Sequence, residues 1–197
     1  MQIKKYYPFS KRCYQGNEMS SQAYFKAVDI ALISVFCALW VALNLTLGPL
    51  GFAWLTLPIF CDFAVFFTLL LVTWATEKFG TASLVGIIDS IITLLIRASP
   101  HIIGFAASAI FFDVLMSANH HKLGAKAYNM AIAALVTAVS AYFAGVVIGV
   151  FFMNKPLEWA LTFWGGWNLI GGIMSITITL PIIGILEKAN VRGIKGA

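Results

Sequence analysis

The sequence predicts an all-α membrane protein with six transmembrane helices in one bundle. Three observations predict this class: composition, hydropathy and the spacing of apolar windows. Hydrophobic residues make up 60% of the 197 residues and charged residues only 11%, and the mean hydropathy is +0.89. A soluble domain is about 45–50% apolar and about 25% charged, so this composition argues against one. Disorder is excluded because there is ample apolar surface to bury.

Six apolar windows predict the helices in order. They cover residues 28–47, 57–75, 81–96, 102–118, 127–153 and 160–186. The first is expected to end at Gly48-Pro49. Within hydrocarbon only helices and closed barrels pair every backbone group, and windows of this length without strict alternation predict helices. Short linkers predict antiparallel neighbours. The predicted domains are a basic leader (1–27), a substrate-binding membrane domain (28–187) and a basic tail (188–197).

Basic residues predict the orientation in the cell membrane. With the N-terminus inside, eleven of the thirteen Lys and Arg residues are cytoplasmic, and only Arg97 and Lys155 lie outside. By the positive-inside rule, both termini are then cytoplasmic. The bias accounts for the net charge of +5 without nucleic acid, and membrane lipid becomes the expected partner of the basic leader. The leader has no apolar region or cleavage site of a signal peptide.

Small residues form one face of the first predicted helix. They recur at spacings of three and four, which places Ala31, Ser34, Ala38 and Ala42 on the same side. Small side chains let membrane helices approach closely. This face therefore packs either within the bundle or against another membrane protein.

The predicted outer face carries the candidate substrate-binding residues, apart from Asp89, which is expected at mid-span of the third helix. They combine aromatic, amide and charged side chains: Asn44, Trp54, Asp62, Asp89, Arg97, His101, Glu158, Trp159, Trp164, Trp167 and Asn168. Aromatic rings interleaved with an acid and an amide suit a flat, partly cationic ligand, because rings stack on it and the acid neutralises it. The alternative for the tryptophans is an aromatic belt at the lipid interface.

Catalysis and metal binding are not expected. The sequence has no nucleophile elbow, HExxH motif or P-loop, so we expect neither an enzyme nor a cofactor. Cys37 and Cys61 are interpreted as buried small hydrophobes, and the His120-His121 pair as a solvated loop rather than a metal site. Asp113 is expected to form internal hydrogen bonds, and no His–Asp pair is expected on one side of the membrane.

Several of these features resemble the substrate-binding S components of energy-coupling factor (ECF) vitamin transporters. The length and the six helices match. The Ala/Ser face of the first helix is similar to the face by which such proteins contact a transmembrane coupling subunit. The segment from Phe79-Gly80 to Asp89 is similar to their Gly-rich third helix. Residue 2 is Gln2, so the Met-His metal hook of cobalt and nickel members is absent.

The resemblance implies a division of labour between chains. This chain would bind a vitamin or vitamin precursor, with thiamine or its hydroxymethylpyrimidine precursor favoured. A separate coupling subunit and two ATPases would drive uptake. Two alternatives stay open: an autonomous ion- or proton-coupled transporter that uses the intramembrane aspartates, and an intramembrane enzyme.

Overall fold

The computed structural model describes residues 24–124 and 126–189, apart from the side chain of Leu55, and over this part of the chain it is helical without strands. The prediction of an all-α protein is confirmed. The six helices are α1 (Ala27–Leu55), α2 (Ile59–Thr76), α3 (Thr81–Arg97), α4 (Ile102–Ser117), α5 (Ala127–Phe152) and α6 (Leu157–Lys188). Most of the predicted leader and tail, together with Cys13, lies outside the described residues.

Four of these helices are long and apolar enough to cross a membrane. They are α1, α2, α5 and α6. The α4 helix is apolar but has only 16 residues, and α3 has 17. At 1.5 Å per residue, both are shorter than the roughly 30 Å hydrocarbon core. The helices indicate a membrane protein.

The predicted end of the first helix at Gly48-Pro49 is wrong, because α1 continues through Pro49 to Leu55. Membrane helices tolerate such a proline where neighbouring groups satisfy the freed carbonyl. Gly48 is a contact point instead of a terminator. A Cβ built there would lie 3.2 Å from Cys61 Sγ of α2 and 3.5 Å from Arg97 Nη1 of α3.

The helices form a closed ring in the order α1, α2, α6, α5, α4, α3, and α3 returns to α1. The α2 helix also contacts α3 and α5, and it is the most buried of the four long helices. Side chains at the helix ends show that the start of α1 and the end of α6 lie at the same end of the bundle. Tyr24 donates a hydrogen bond to the carbonyl of Phe79, and Trp74 Nε1 donates to Glu187 at 3.3 Å. We name this the terminal end, and the end with loops 56–58, 98–101 and 153–156 the distal end.

Glycines set the closest helix contacts. A Cβ at Gly171 of α6 would lie 2.6 Å from both Asp62 Cβ and the carbonyl oxygen of Ile59 on α2. At Gly145 of α5 it would lie 2.8 Å from Asn168 Cβ of α6. Small residues at such positions let backbones approach, which is how membrane helices gain packing energy. These contacts fix the rotation of α6 and therefore decide which of its side chains face inward.

Candidate functional site

Two adjoining cavities lie at the distal end of the bundle. One has a volume of about 300 Å³ and the other about 290 Å³, and Phe52, Cys61 and His101 line both. Their walls come from α1, α2, α3, α4, α5 and α6. Sites for small organic molecules are concave, mostly apolar and equipped with a few placed polar groups. The pair fits that description.

The first of them, here called the aromatic cavity, is mostly apolar. Beyond the three shared residues it is lined by Pro58, Pro100, Phe105, Ile148, Phe152, Met153 and Trp164. Two π-helical segments build one side of it: Ile148–Phe152 ends α5, and Ala160–Trp164 lies in the first turns of α6. They meet where a Cβ at Gly149 would lie 2.8 Å from Ala160 Cβ. Such π-helical turns are frequent at functional sites.

The second, here called the polar cavity, gathers hydrogen-bonding and charged side chains. Besides the shared residues it is lined by Asn44, Pro49, Thr93, Arg97, Ser99 and Ile102. Among the described residues, no Asp or Glu side chain lines either cavity. Their ionisable lining groups are Arg97, His101 and Cys61.

Three buried polar groups in the linings have no hydrogen-bond partner within the described structure. They are Asn44 Nδ2, Thr93 Oγ1 and Trp164 Nε1. Asn44 is 3% exposed and Thr93 2% exposed. A buried donor without a partner costs about 1–3 kcal/mol. A bound molecule with acceptor atoms would remove that cost.

His101 lies in the loop before α4 and lines both cavities. Burial lowers the pKa of its imidazole below the usual value, and the nearby positive charge of Arg97 lowers it further. His101 is therefore neutral at pH 7. It can donate or accept one hydrogen bond there without adding charge.

The structure brings four of the predicted substrate-binding residues to the cavity walls: Asn44, Arg97, His101 and Trp164. Trp159 stacks on Trp164, with ring centroids 5.7 Å apart. The other predicted members lie elsewhere. Glu158 is exposed, Trp54 is 78% exposed, and Trp167 contacts Phe163.

Three predicted polar residues are buried between helices instead. Asn168 donates back to the Trp164 carbonyl at 2.8 Å and packs against α5. Asp62 follows the lining residue Cys61 but points toward α6. Asp89 is fully buried near Cys37, at mid-length of α3. The carboxylate oxygens of Asp62 and Asp89 have no well-formed hydrogen bond in the described structure.

The substrate-binding residues predicted from the sequence do not include Cys61, Thr93 and the phenylalanines of the aromatic cavity, nor Ser99, which was expected only on the outer face. One signal was present. Thr93 lies four residues from both Asp89 and Arg97, so these three side chains form a polar stripe on α3. The phenylalanines carried no signal, because apolar residues line cavities and cores alike.

The small-residue face of α1 is exposed. Ala31, Ser34, Ala38 and Ala42 all point away from the bundle. Ser34, Ala38 and Ala42 line one side of a groove of about 530 Å³ between α1 and α3, and Ile88 and Ile92 line the other side. Packing within this chain's own bundle therefore does not explain the face.

A second polar cluster lies at the terminal end. Asp113 Oδ2 accepts hydrogen bonds from the backbone N–H groups of Gly80 and Ser83 and from Ser83 Oγ, at 2.7–3.0 Å. Asp113 Oδ1 lies 2.8 Å from His121 Nε2. The expected internal bonding of Asp113 is confirmed, and Gly80 takes a φ of +90° to begin α3 there.

Two expectations about the histidines are wrong. His121 is only 4% exposed, so this half of the His120-His121 pair is not solvated. It also forms a His–Asp pair at one end of the bundle, where none was expected. The loop turns back because His120 and His121 both adopt positive φ, and the turn brings the imidazole of His121 next to Asp113 of α4. That fold of the loop is not visible in the hydropathy pattern.

The fold and the cavities define a class: an all-α protein with several helices suited to a membrane and a two-part cavity at one end. Comparisons of the chain with protein-family models, with curated proteins and with solved structures found no match. Within residues 24–124 and 126–189, no three His, Cys, Asp or Glu side chains converge as a metal site would require.

Proposed function

We propose that this chain is the substrate-binding S component of an ECF-type transporter and binds a vitamin or vitamin precursor in the distal cavities. The observation that carries the proposal is the cavity pair itself. It combines aromatic walls with three unpaired buried polar groups, and so offers a bound molecule both stacking surface and hydrogen bonds.

We propose that the protein is a multi-pass cell-membrane protein with six spans and both termini in the cytoplasm. The basic residues support this orientation, since Arg97 and Lys155 are at the distal end and Lys26, Lys78, Lys122, Lys126 and Lys188 are at the terminal end. The cavities then open toward the outside, where a scavenging system meets its substrate.

An aromatic vitamin such as thiamine, or its pyrimidine precursor, has a ring that suits the aromatic cavity. Glu158 was the acid expected to neutralise a cationic ligand, and it is exposed outside the cavities. The proposal therefore rests on ring stacking rather than on charge compensation by that residue.

Ligand binding is tested first by identifying any small molecule that co-purifies with the protein, using mass spectrometry. Titrating that molecule back should quench tryptophan fluorescence in right-side-out vesicles when it is added outside. Trp164→Phe removes a donor in the cavity wall and should weaken binding about 5- to 150-fold, the equivalent of about 1–3 kcal/mol. Trp54→Phe is the matched control, because Trp54 is 78% exposed and lines neither cavity. Equal weakening by both substitutions, or no response to outside ligand, would contradict the proposed site.

The exposed small-residue face supports docking to a coupling subunit, which two ATPases would drive. Ala38→Trp should abolish uptake in the source cells while the purified protein still binds its ligand, because a bulky side chain prevents close helix approach. Ala131→Trp is the control, since Ala131 is an exposed alanine on α5. If Ala38→Trp loses ligand binding while Ala131→Trp still supports uptake, the small-residue face stabilises this chain itself and does not serve as a docking surface.

A second candidate, an autonomous proton- or ion-coupled transporter, is favoured by one observation. Asp62 and Asp89 are fully buried and their carboxylate oxygens lack well-formed hydrogen bonds in the described structure. Carboxylates at membrane depth are typical of proton relays. The purified chain alone in liposomes separates the candidates: substrate accumulation driven by a pH gradient, and lost in Asp89→Asn, would favour autonomous transport.

A further inference from the structure

We propose that the molecule bound at the distal end carries an oxyanion, a carboxylate or a phosphate, held in the polar cavity while its apolar ring occupies the aromatic cavity. This inference rests on the proposed function, because it takes the two cavities as one binding site for a small organic molecule. It assigns the ligand a charge opposite to the cationic one that the sequence pattern favoured.

The unpaired groups of the polar cavity include donors. Asn44 Nδ2 can only donate, and it is buried without an acceptor in the described structure. Thr93 Oγ1 is also unpaired and can donate its proton. Both side chains line the cavity and are more than nine-tenths buried. Their shared requirement is an acceptor, which the oxygens of an oxyanion supply.

Arg97, an exposed residue, supplies the positive charge at the wall of the polar cavity. Arg97 forms no ion pair with any carboxylate in the described part of the chain. Asp62 lies behind Cys61 with its Cβ against the Gly171 position, and Glu158 is exposed outside the lining. A guanidinium binds carboxylate and phosphate through paired N–H groups, and these charge-assisted bonds are stronger than neutral ones.

One ligand can reach both cavities because they share walls. Phe52, Cys61 and His101 line each of them. Trp164 lies on the aromatic side, where it stacks on Trp159, and Arg97 lies on the polar side. The geometry favours a flat apolar ring joined to an anion over a ligand that is polar throughout.

His101 couples this binding to pH. The charged or ionisable groups that face it across the cavities are Arg97 of α3 and Cys61 of α2, with Asp62 behind the latter. Burial and the charge of Arg97 lower the pKa of His101 in the free protein. A bound anion stabilises the imidazolium and raises that pKa, so binding takes up a proton. Affinity for an anion should therefore rise as the pH falls from about 8 to about 6, and His101→Gln should remove this dependence.

The test uses three probes with one ring and different charges: benzoate, benzamide and benzamidine. Their affinities are measured by equilibrium dialysis with the full-length protein in a neutral detergent. Benzoate should bind at least about tenfold more tightly than benzamide, and benzamidine should bind most weakly. Arg97→Gln should abolish the preference for benzoate, because benzoate loses a charge-assisted bond and therefore more affinity than benzamide does. Lys155→Gln is the control, because it removes the same charge at the same end from a residue outside both linings.

The outcomes separate this inference from the proposed function. Equal binding of all three probes, tightest binding of benzamidine, or a co-purified ligand without an oxyanion would overturn the inference and leave the proposed function standing. If no molecule co-purifies and no probe binds, both fail. Loss of the benzoate preference in Lys155→Gln as well as in Arg97→Gln would also overturn the inference. The preference would then come from the overall positive charge of the distal end and not from a contact with Arg97.

A phospholipid headgroup also carries an oxyanion, and a lipid arm distinguishes this source. Benzoate binding is compared in nanodiscs of phosphatidylcholine alone and with phosphatidylglycerol. Unchanged binding supports a soluble ligand. Displacement of benzoate by phosphatidylglycerol in the wild type, and no displacement in Arg97→Gln, would assign the polar cavity to a lipid headgroup and overturn the small-molecule assignment.

Discussion

Replacing Asp113 with alanine should lower the thermal midpoint of the protein by about 10 °C. Asp113 is fully buried and accepts three hydrogen bonds from Gly80 and Ser83 at the start of α3, in addition to its pairing with His121. Breaking a buried pair by removing one partner costs about 3–5 kcal/mol, because the remaining groups are left without partners. For a chain of this size, 1 kcal/mol corresponds to about 2–4 °C.

The midpoint can be measured with a thiol-reactive dye, because the free thiols of Cys37 and Cys61 are each only 5% exposed in the folded protein and become accessible on unfolding. A Cys13→Ser background avoids a signal from the leader. Asp113→Asn keeps an acceptor oxygen, so its thermal midpoint should fall less than that of Asp113→Ala. Ser117→Ala is the control, since Ser117 is exposed near the same end of α4. A drop no larger in Asp113→Ala than in Ser117→Ala would show that the cluster does not stabilise the bundle.

Gly171→Ala should also destabilise the fold strongly, although it adds a single methyl group. The new Cβ would lie 2.6 Å from the Ile59 carbonyl oxygen and from Asp62 Cβ, so α6 and α2 must separate. Overpacking of this kind costs about 1–3 kcal/mol or more. We expect a lower thermal midpoint, and for Gly171→Val a loss of folded protein in size-exclusion chromatography.

Gly166→Ala provides the matched control on the same helix. A Cβ at Gly166 meets no atom within 4 Å, so the methyl group fits without strain. The midpoint should stay the same or rise slightly, because alanine favours the helix over glycine. Equal losses at positions 166 and 171 would mean that helix propensity, rather than the contact between α2 and α6, controls stability.

The helices themselves could be predicted from the sequence, because apolar windows of about 20 residues report directly on burial in a membrane or a core. The main error was the end of α1. By the rules for helices in water, where a freed carbonyl is solvated, Gly48-Pro49 predicts the end of a helix. Inside a bundle of membrane helices the chain continues, because neighbouring groups can satisfy that carbonyl and leaving the helix would expose more backbone groups.

The candidate site could be predicted only in part. Asn44, Arg97, His101 and Trp164 are polar or aromatic residues near the predicted outer ends of helices, and they line the cavities. Glu158 meets the same criteria but is exposed outside the cavities. Depth along a helix can be read from the sequence, but the rotation of the helix about its axis cannot, when apolar residues surround it on all sides.

The sequence by itself determined the all-α class, the order of the six helices, and the spacing that puts Ala31, Ser34, Ala38 and Ala42 on one face. These properties are local, since periodicity and hydropathy act over a few turns. The tertiary structure alone decided that this face is exposed, that Asp113 meets His121, and that Arg97 joins Asn44 and Thr93 in a cavity that no carboxylate of the described residues lines. These contacts depend on which helices are neighbours and on how each helix is rotated about its axis. Close contacts between helices fix both, and the contact of Gly171 with α2 joins residues more than a hundred positions apart in the sequence.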